Sequence, residues 1–205
     1  MLYSHHVPVW FRKIFPEVIW SGEKTDNVVH LTFDDGPIPE VTPYILDELK
    51  RYNQKATFFC VGDNVRKYPK IYARIIQEGH GVGNHTFHHL NGWENSFDQY
   101  YEDVLKAEVL IDSTLFRPPY GKMSLQQFFK IKQQFCLVFW TYLSGDFDPS
   151  FDAAKCMKQV KKISKNGAIL VFHDNIKSEA HIRKVLPEIL EFYRSEHIVS
   201  KTLSV

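Results

Sequence analysis

Strand-like and helix-like stretches alternate along nearly the whole chain, and this alternation narrows the possible folds more than any other feature. VVHLTF (28–33), ATFFCVG (56–62) and AILVFHD (168–174) are apolar, β-prone runs of the kind that a strand covered on both faces requires. HGVGNH (80–85) is a short segment of its own, LFRPPYG (115–121) begins as a short strand, and CLVFWTYL (136–143) and HIVSKTLSV (197–205) complete the strand set. Between them lie 39–52, 68–79, 96–113, 124–135, 151–164 and 178–196, where apolar residues recur at helical spacing, as in Val41, Ile45 and Leu49. Ser96 and Ser124 stand where N-caps belong, Gly79 where a helix ends, and Pro187 falls inside the last helix. Strand and helix in repeated order with short links predict a parallel sheet wrapped by helices, either open and doubly wound or closed as a barrel. No G-x-G-x-x-G or G-x-x-x-x-G-K-[ST] follows a strand, which removes support from the nucleotide-binding versions.

The 205 residues fit one domain, with residues 1–27 expected as an N-terminal segment packed on a single domain over 28–205. Lys and Arg total 25 against 24 Asp and Glu, and no long basic run occurs, so neither a nucleic acid nor an anionic membrane is the expected partner. Cys60, Cys136 and Cys156 are scattered and form no C-x-x-C pair, which fits a reducing compartment. Pro8, Arg12, Lys13, Pro16 and Glu17 break up the aromatic start, which lacks the form of a secretory signal. No apolar run approaches a membrane span. A cytoplasmic protein is the expectation, and its oligomeric state is left open.

Polar residues gather at the expected C-terminal ends of the strands, where parallel barrels keep their chemistry. Asp34 and Asp35 end the first strand, and His85, His88 and His89 follow the third. Arg117 and Tyr120 follow the fourth, Asp146 and Asp148 the fifth, and His173 and Asp174 the sixth. His85 and His89 are four apart, a spacing that one helical turn would bring to the same side and that suits a divalent metal; His88, three from His85, competes for the role. A carboxylate from another strand would complete a three-ligand site, and the Asp pair can supply it. Two adjacent carboxylates repel unless a cation relieves one of them. Arg117, leaving a rigid Pro-Pro corner, would pair with a neighbouring carboxylate. Asp146 would raise the pKa of His173 and keep it protonated near neutral pH.

The stretches T-F-D-D-G (32–36), H-T-x-x-H (85–89), R-P-P-Y-G (117–121), W-x-x-x-x-x-D-F (140–147) and V-F-H-D (171–174) resemble, in order, the five motifs of the polysaccharide deacetylase family, the NodB-homology group or carbohydrate esterase family 4. The resemblance implies an α/β fold, a distorted, incomplete (β/α) barrel of about seven parallel strands. It implies Asp35, His85 and His89 as ligands of a divalent metal, most often Zn2+, with Co2+, Ni2+ or Mn2+ as alternatives. Asp34 is then the general base, Arg117 its holder, and His173 the general acid tuned by Asp146. The Tyr120 N–H stabilises the oxyanion. The implied activity is a metal-dependent hydrolase removing acetyl groups from N-acetylated amino sugars in a glycan, an oligosaccharide or a precursor.

The fourth motif departs from the family's Asp-x-x-Asp-Trp, reading Leu143, Asp146 and Phe147. Altered substrate contacts are expected there, with Phe147 as an apolar wall and Tyr120 beside the substrate. Trp93, in the loop after the histidines, is a candidate for stacking on a sugar ring. Two other readings of the same residues are hydrolysis of a non-sugar amide, such as a cyclic imide or ureide, and a glycan-binding protein that has lost catalysis.

Overall fold

The structure, a computed structural model, describes His5 and residues 9–22 and 24–203. The strands are β1 (Val28–Asp34), β2 (Ala56–Cys60), β3 (Gly81–Asn84), β4 (Leu115–Phe116), β5 (Cys136–Leu137), β6 (Tyr142–Leu143), β7 (Ala168–His173) and β8 (Val199–Ser200). The helices are α1 (Val9–Ile14), α2 (Thr42–Arg51), α3 (Gly62–Lys67), α4 (Pro69–Gln77), α5 (Phe97–Glu108), α6 (Leu125–Ile131), α7 (Ala153–Ile163) and α8 (Glu179–Ser195). The strands run parallel in the order β5-β4-β3-β2-β1-β7-β6, and β8 pairs beside β1 off this path.

Only residues 138–141 join β5 to β6, yet these strands stand at opposite ends of the strand order. A link that short forces the sheet to curl until its two edges nearly meet, which makes an incomplete barrel. The expectation of one strand over 136–143 is corrected by the same fact. The first part pairs with β4, the last with β7, and the middle crosses the gap. Residues of the N-terminal segment lie along this seam. Ile19 donates its N–H to the Leu137 carbonyl and accepts from Phe139 N–H, and Leu143 N–H donates to the His5 carbonyl. Val18 and Trp20 are buried with Tyr100, Phe116, Phe128 and Leu137.

All of β1 is buried, and its two faces do different things. Val29, Leu31 and Phe33 pack into the main apolar core with Ile45, Leu49, Val185 and Leu186 of α2 and α8. Each side chain so buried contributes about 1.5–3 kcal/mol relative to exposure. The alternate residues Thr32 and Asp34 face the other way, as the period of two in a strand demands, and meet Arg117. On β3 a Cβ at Gly83 would lie 2.5 Å from the Phe59 ring, so glycine admits the aromatic over which Arg117 sits. Ser96 and Ser124 cap α5 and α6 with complete capping boxes, to Gln99 and Gln127. The long closing strand expected over 197–205 is reduced to Val199–Ser200 among the described residues.

Candidate active site

The C-terminal ends of the strands lie level. Asp34 pairs with Phe59 on one side and His173 on the other, and Asn84 pairs with Cys60 and Phe116. The next residue beyond four of these strands still joins the ladder. Asp35 N–H donates to Phe59 O, His85 N–H to Cys60 O, Arg117 N–H to Asn84 O and Asp174 N–H to Asp34 O, at 3.0–3.3 Å. Strand register therefore brings residues far apart in the chain to one end of the barrel.

Asp35 Oδ1 faces His89 Nε2 at 3.0 Å and His85 Nε2 at 3.5 Å. One ligand atom from each of the three residues lies within 4.8 Å of the other two. His85 Nδ1 sits 2.7 Å from the Arg117 carbonyl, which only accepts, so Nδ1 carries a proton and Nε2 is the ring nitrogen turned towards Asp35. Burial works against the Asp35 charge, but the two imidazoles outweigh it and hold the carboxyl well below its ordinary range. Two imidazole nitrogens and one carboxylate oxygen are a donor set that fits a divalent cation such as zinc.

No helical turn makes this convergence, contrary to the reading of the His85/His89 spacing, because residues 85–90 form a loop. Thr86 and His89 take left-handed backbone (φ 61° and 57°), and the buried Asp103 of α5 accepts from the N–H groups of Phe87 and His88. The His88 ring also pairs with Asp103, 2.5 Å away, which turns His88 out of the site and leaves the role to His89. Asp35 and Tyr120 are likewise left-handed (φ 86° and 61°). Backbone strain of this kind, about 1–3 kcal/mol per residue, collects where function demands a geometry that the chain would otherwise avoid.

Arg117 is fully buried and uses its guanidinium in four directions. Nη1 donates to Thr32 Oγ1 at 2.8 Å and Asp34 Oδ1 at 2.7 Å, while Nε and Nη2 donate to the carbonyls of Val138 and Phe139 in the seam. Asp34 is thus fixed through Oδ1. Asp146, fully buried after β6, holds His173 twice: Oδ1 meets Nδ1 at 2.6 Å and Oδ2 accepts the His173 N–H at 2.9 Å. Ser144 Oγ donates to Asp146 Oδ1 as well. Burial opposes a charge on His173, but Asp146 more than offsets it and the pKa is pushed up to about 9.

The site opens on a cavity of about 700 Å³, behind whose walls Arg117 and Asp146 lie. Asp34, Asp35, His85, His89 and His173 reach it together with Tyr120 and Phe147. The Tyr120 ring packs edge-on against His89 and the Phe147 ring edge-on against His173. Trp140, Leu143 and Ile176 add apolar wall. Trp93 does not line the cavity; it is 67% exposed, its Nε1–H bonded to Met123 O and its ring beside Lys122 on the rim. Asp148 lies on the rim and accepts from Ser150, and Asp174 turns away from the cavity to Gly36 N–H and Thr42 Oγ1.

Sequence reasoning passed over Asn175, whose Nδ2 donates to Asp35 Oδ2 at 2.5 Å, and Asn64, whose Nδ2 donates to the Asp35 carbonyl. It also passed over Ser144 and Asp103. Asn175 carried a usable signal, an Asn three residues before Ser178 at the start of a helix.

Comparison with known proteins follows the same lines. The family described as polysaccharide deacetylase matches residues 21–135. A peptidoglycan-N-acetylglucosamine deacetylase of Bacillus cereus is 42% identical over 135 residues, 62% of this chain and 49% of that protein. The chain thus spans about half the length of that relative. A second such deacetylase of Bacillus cereus is 32% identical over 84% of this chain and 86% of its own length. Among solved structures, a peptidoglycan N-acetylglucosamine deacetylase in complex with a naphthyl-substituted N-hydroxybenzamide superposes with a TM-score of 0.85 at 31% identity, covering 96% of this chain and 95% of that one.

Proposed function

The chain belongs to the polysaccharide deacetylase family, and from that premise we propose that it is a metal-dependent hydrolase removing acetyl groups from N-acetylated amino sugars of the peptidoglycan type. One observation carries this reading. Asp34 and His173 are neighbours across β1 and β7, and both open on the cavity that holds the Asp35, His85 and His89 ligand atoms. A base, an acid and a cation site therefore share one space large enough for a sugar.

Asp35, His85 and His89 would hold the cation, with zinc favoured by the donor set. When bound, a divalent cation supplies a Lewis acid that lowers the pKa of water and polarises a carbonyl. The chain's own residues supply the proton transfers. Arg117 occupies Asp34 Oδ1, leaving Oδ2 to take a proton from the water that attacks the acetyl carbon. The Tyr120 N–H is assigned to the oxyanion that develops there. As the C–N bond breaks, the electron pair goes to nitrogen, and protonated His173 gives that nitrogen its proton. The products are acetate and a free amino sugar. Phe147, Trp140 and Leu143 give this side of the cavity an apolar wall, and Trp93, beyond Lys122, would offer its ring to a neighbouring sugar.

The test is acetate release by zinc-loaded protein from peptidoglycan fragments, N-acetylglucosamine oligomers and small precursors, with Asp34→Asn as the blank. The cytoplasmic location expected from the sequence would restrict the chain to precursors and short oligomers, so the panel includes both these and the polymer. Release by the wild type alone supports the reading. No release from any substrate by protein shown to hold zinc overturns it.

A further inference from the structure

The two oxygens of Asp35 have different surroundings. Oδ1 faces His85 and His89, while Oδ2 accepts from Asn175 Nδ2 at 2.5 Å. The orientation of the Asn175 amide is decided by its other end. Ser178 N–H lies 3.0 Å from Asn175 Oδ1, and because a backbone N–H only donates, the atom facing it is the oxygen. The NH2 group is therefore committed to Asp35.

Asp174 grips the adjacent residue of the same turn. Its Oδ1 accepts from Gly36 N–H at 2.8 Å and its Oδ2 from Thr42 Oγ1 at 2.6 Å. A Cβ on Gly36 would lie 1.9 Å from Asp174 Oδ2, so glycine lets the carboxylate reach the backbone. Asn64 Nδ2 holds the Asp35 carbonyl at 2.8 Å. These contacts keep Asp35 in its left-handed conformation at φ 86°. Asn175 is the one among them that touches the carboxylate itself.

We propose that Asn175 is a positioning residue for the metal ligand Asp35, occupying Oδ2 so that Oδ1 alone is presented to the cation. This rests on the reading of Asp35, His85 and His89 as a metal centre. A carboxylate with both oxygens unengaged can rotate and offer either or both of them. Tying Oδ2 to the start of α8 removes that freedom before any ion arrives, and a partner of this kind typically matters about 10–100-fold in metal affinity.

Asn175→Asp and Asn175→Ala separate this role from simple helix capping. Aspartate keeps an acceptor for Ser178 N–H but has no donor for Asp35; alanine keeps neither. The readouts are the zinc dissociation constant, by competition with a chromogenic chelator, and the visible absorption of Co2+-substituted protein. Both variants are expected to bind zinc about 10–100-fold more weakly, with a changed Co2+ band. The zinc-free Tm falls in both, in Asn175→Ala through the lost acceptor for Ser178 N–H and in Asn175→Asp through repulsion between two carboxylates. A capping role alone predicts wild-type affinity in Asn175→Asp. That result, or unchanged or tighter binding in either variant, overturns the proposal. Wild type and Asp35→Ala are titrated alongside. A wild type that binds no zinc, or an Asp35→Ala that binds as tightly, overturns the metal-centre reading and this proposal with it.

Discussion

Arg117 and Asp34 meet at 2.7 Å inside the barrel, the arginine wholly buried and the aspartate 4% exposed. Burial lowers the Arg117 pKa, and Asp34 works in the opposite direction to keep the charge. Removing one member of such a pair leaves the other buried without compensation, which typically costs about 3–5 kcal/mol. Arg117→Met should therefore lower the unfolding free energy, read from denaturant titration, by an amount in that range. A loss below about 1 kcal/mol would mean that the interior is wetter than this geometry describes.

Asp34→Asn keeps the shape of the site and removes the proposed base. Acetate release should fall about 10²–10⁴-fold in kcat, with zinc content and KM little changed. A variant that retained most of its rate would deny Asp34 the proton transfer.

Alkaline pH tests the proposed acid, His173. The folded pKa of His173 is raised to about 9 from an ordinary 6.5, so it stays protonated, and able to donate, until the pH passes about 9. The stability that this charge contributes is complete below 6.5 and is lost as pH rises through 9. The high-pH limb of kcat/KM should lie near 9, and Asp146→Asn should move it down towards the ordinary imidazole value. An unmoved limb in Asp146→Asn would assign it to another group.

Chelation should abolish activity and lower Tm together, because an ion held only by the native arrangement stabilises it, by about 2.7 kcal/mol at a hundredfold excess over Kd. Adding zinc back should restore both. His89→Ala should lose the zinc-dependent rise in Tm, measured by thermal denaturation with and without metal. A rise of equal size in that variant would locate the ion elsewhere.

The site was legible in the sequence wherever strand periodicity alone places a residue. Asp34, Asp35, Arg117 and His173 fall at or just beyond the ends of recognisable strands, and parallel register does the rest. Residues 85–90 were less legible. Their i, i+4 spacing suggested a helical turn, whereas the fold reaches the same convergence with left-handed Thr86 and His89 and a carboxylate from α5. No local pattern announces a partner fifteen residues away. Residues 136–143 read as one strand because each half is apolar, and the crossing between them depends on sheet closure, which is a property of the whole barrel. Asn175 could be read as a turn residue before Ser178, but its contact with Asp35 was hidden for a related reason, since Asp35 lies 140 residues earlier.

The pairing of Ile19 with Leu137 and Phe139, and of His5 with Leu143, bears on how copies of the protein behave towards one another. Strands at the margins of a sheet carry unsatisfied N–H and C=O groups that invite another chain to add on. Here Ile19 sits on one margin of the curl and His5 on the other, and they occupy those groups first. Removing the stretch up to Ile19 would leave two sticky borders, separated by only four residues of link (138–141), facing solvent. The truncated protein should then sediment as aggregates at concentrations where the full chain stays dispersed.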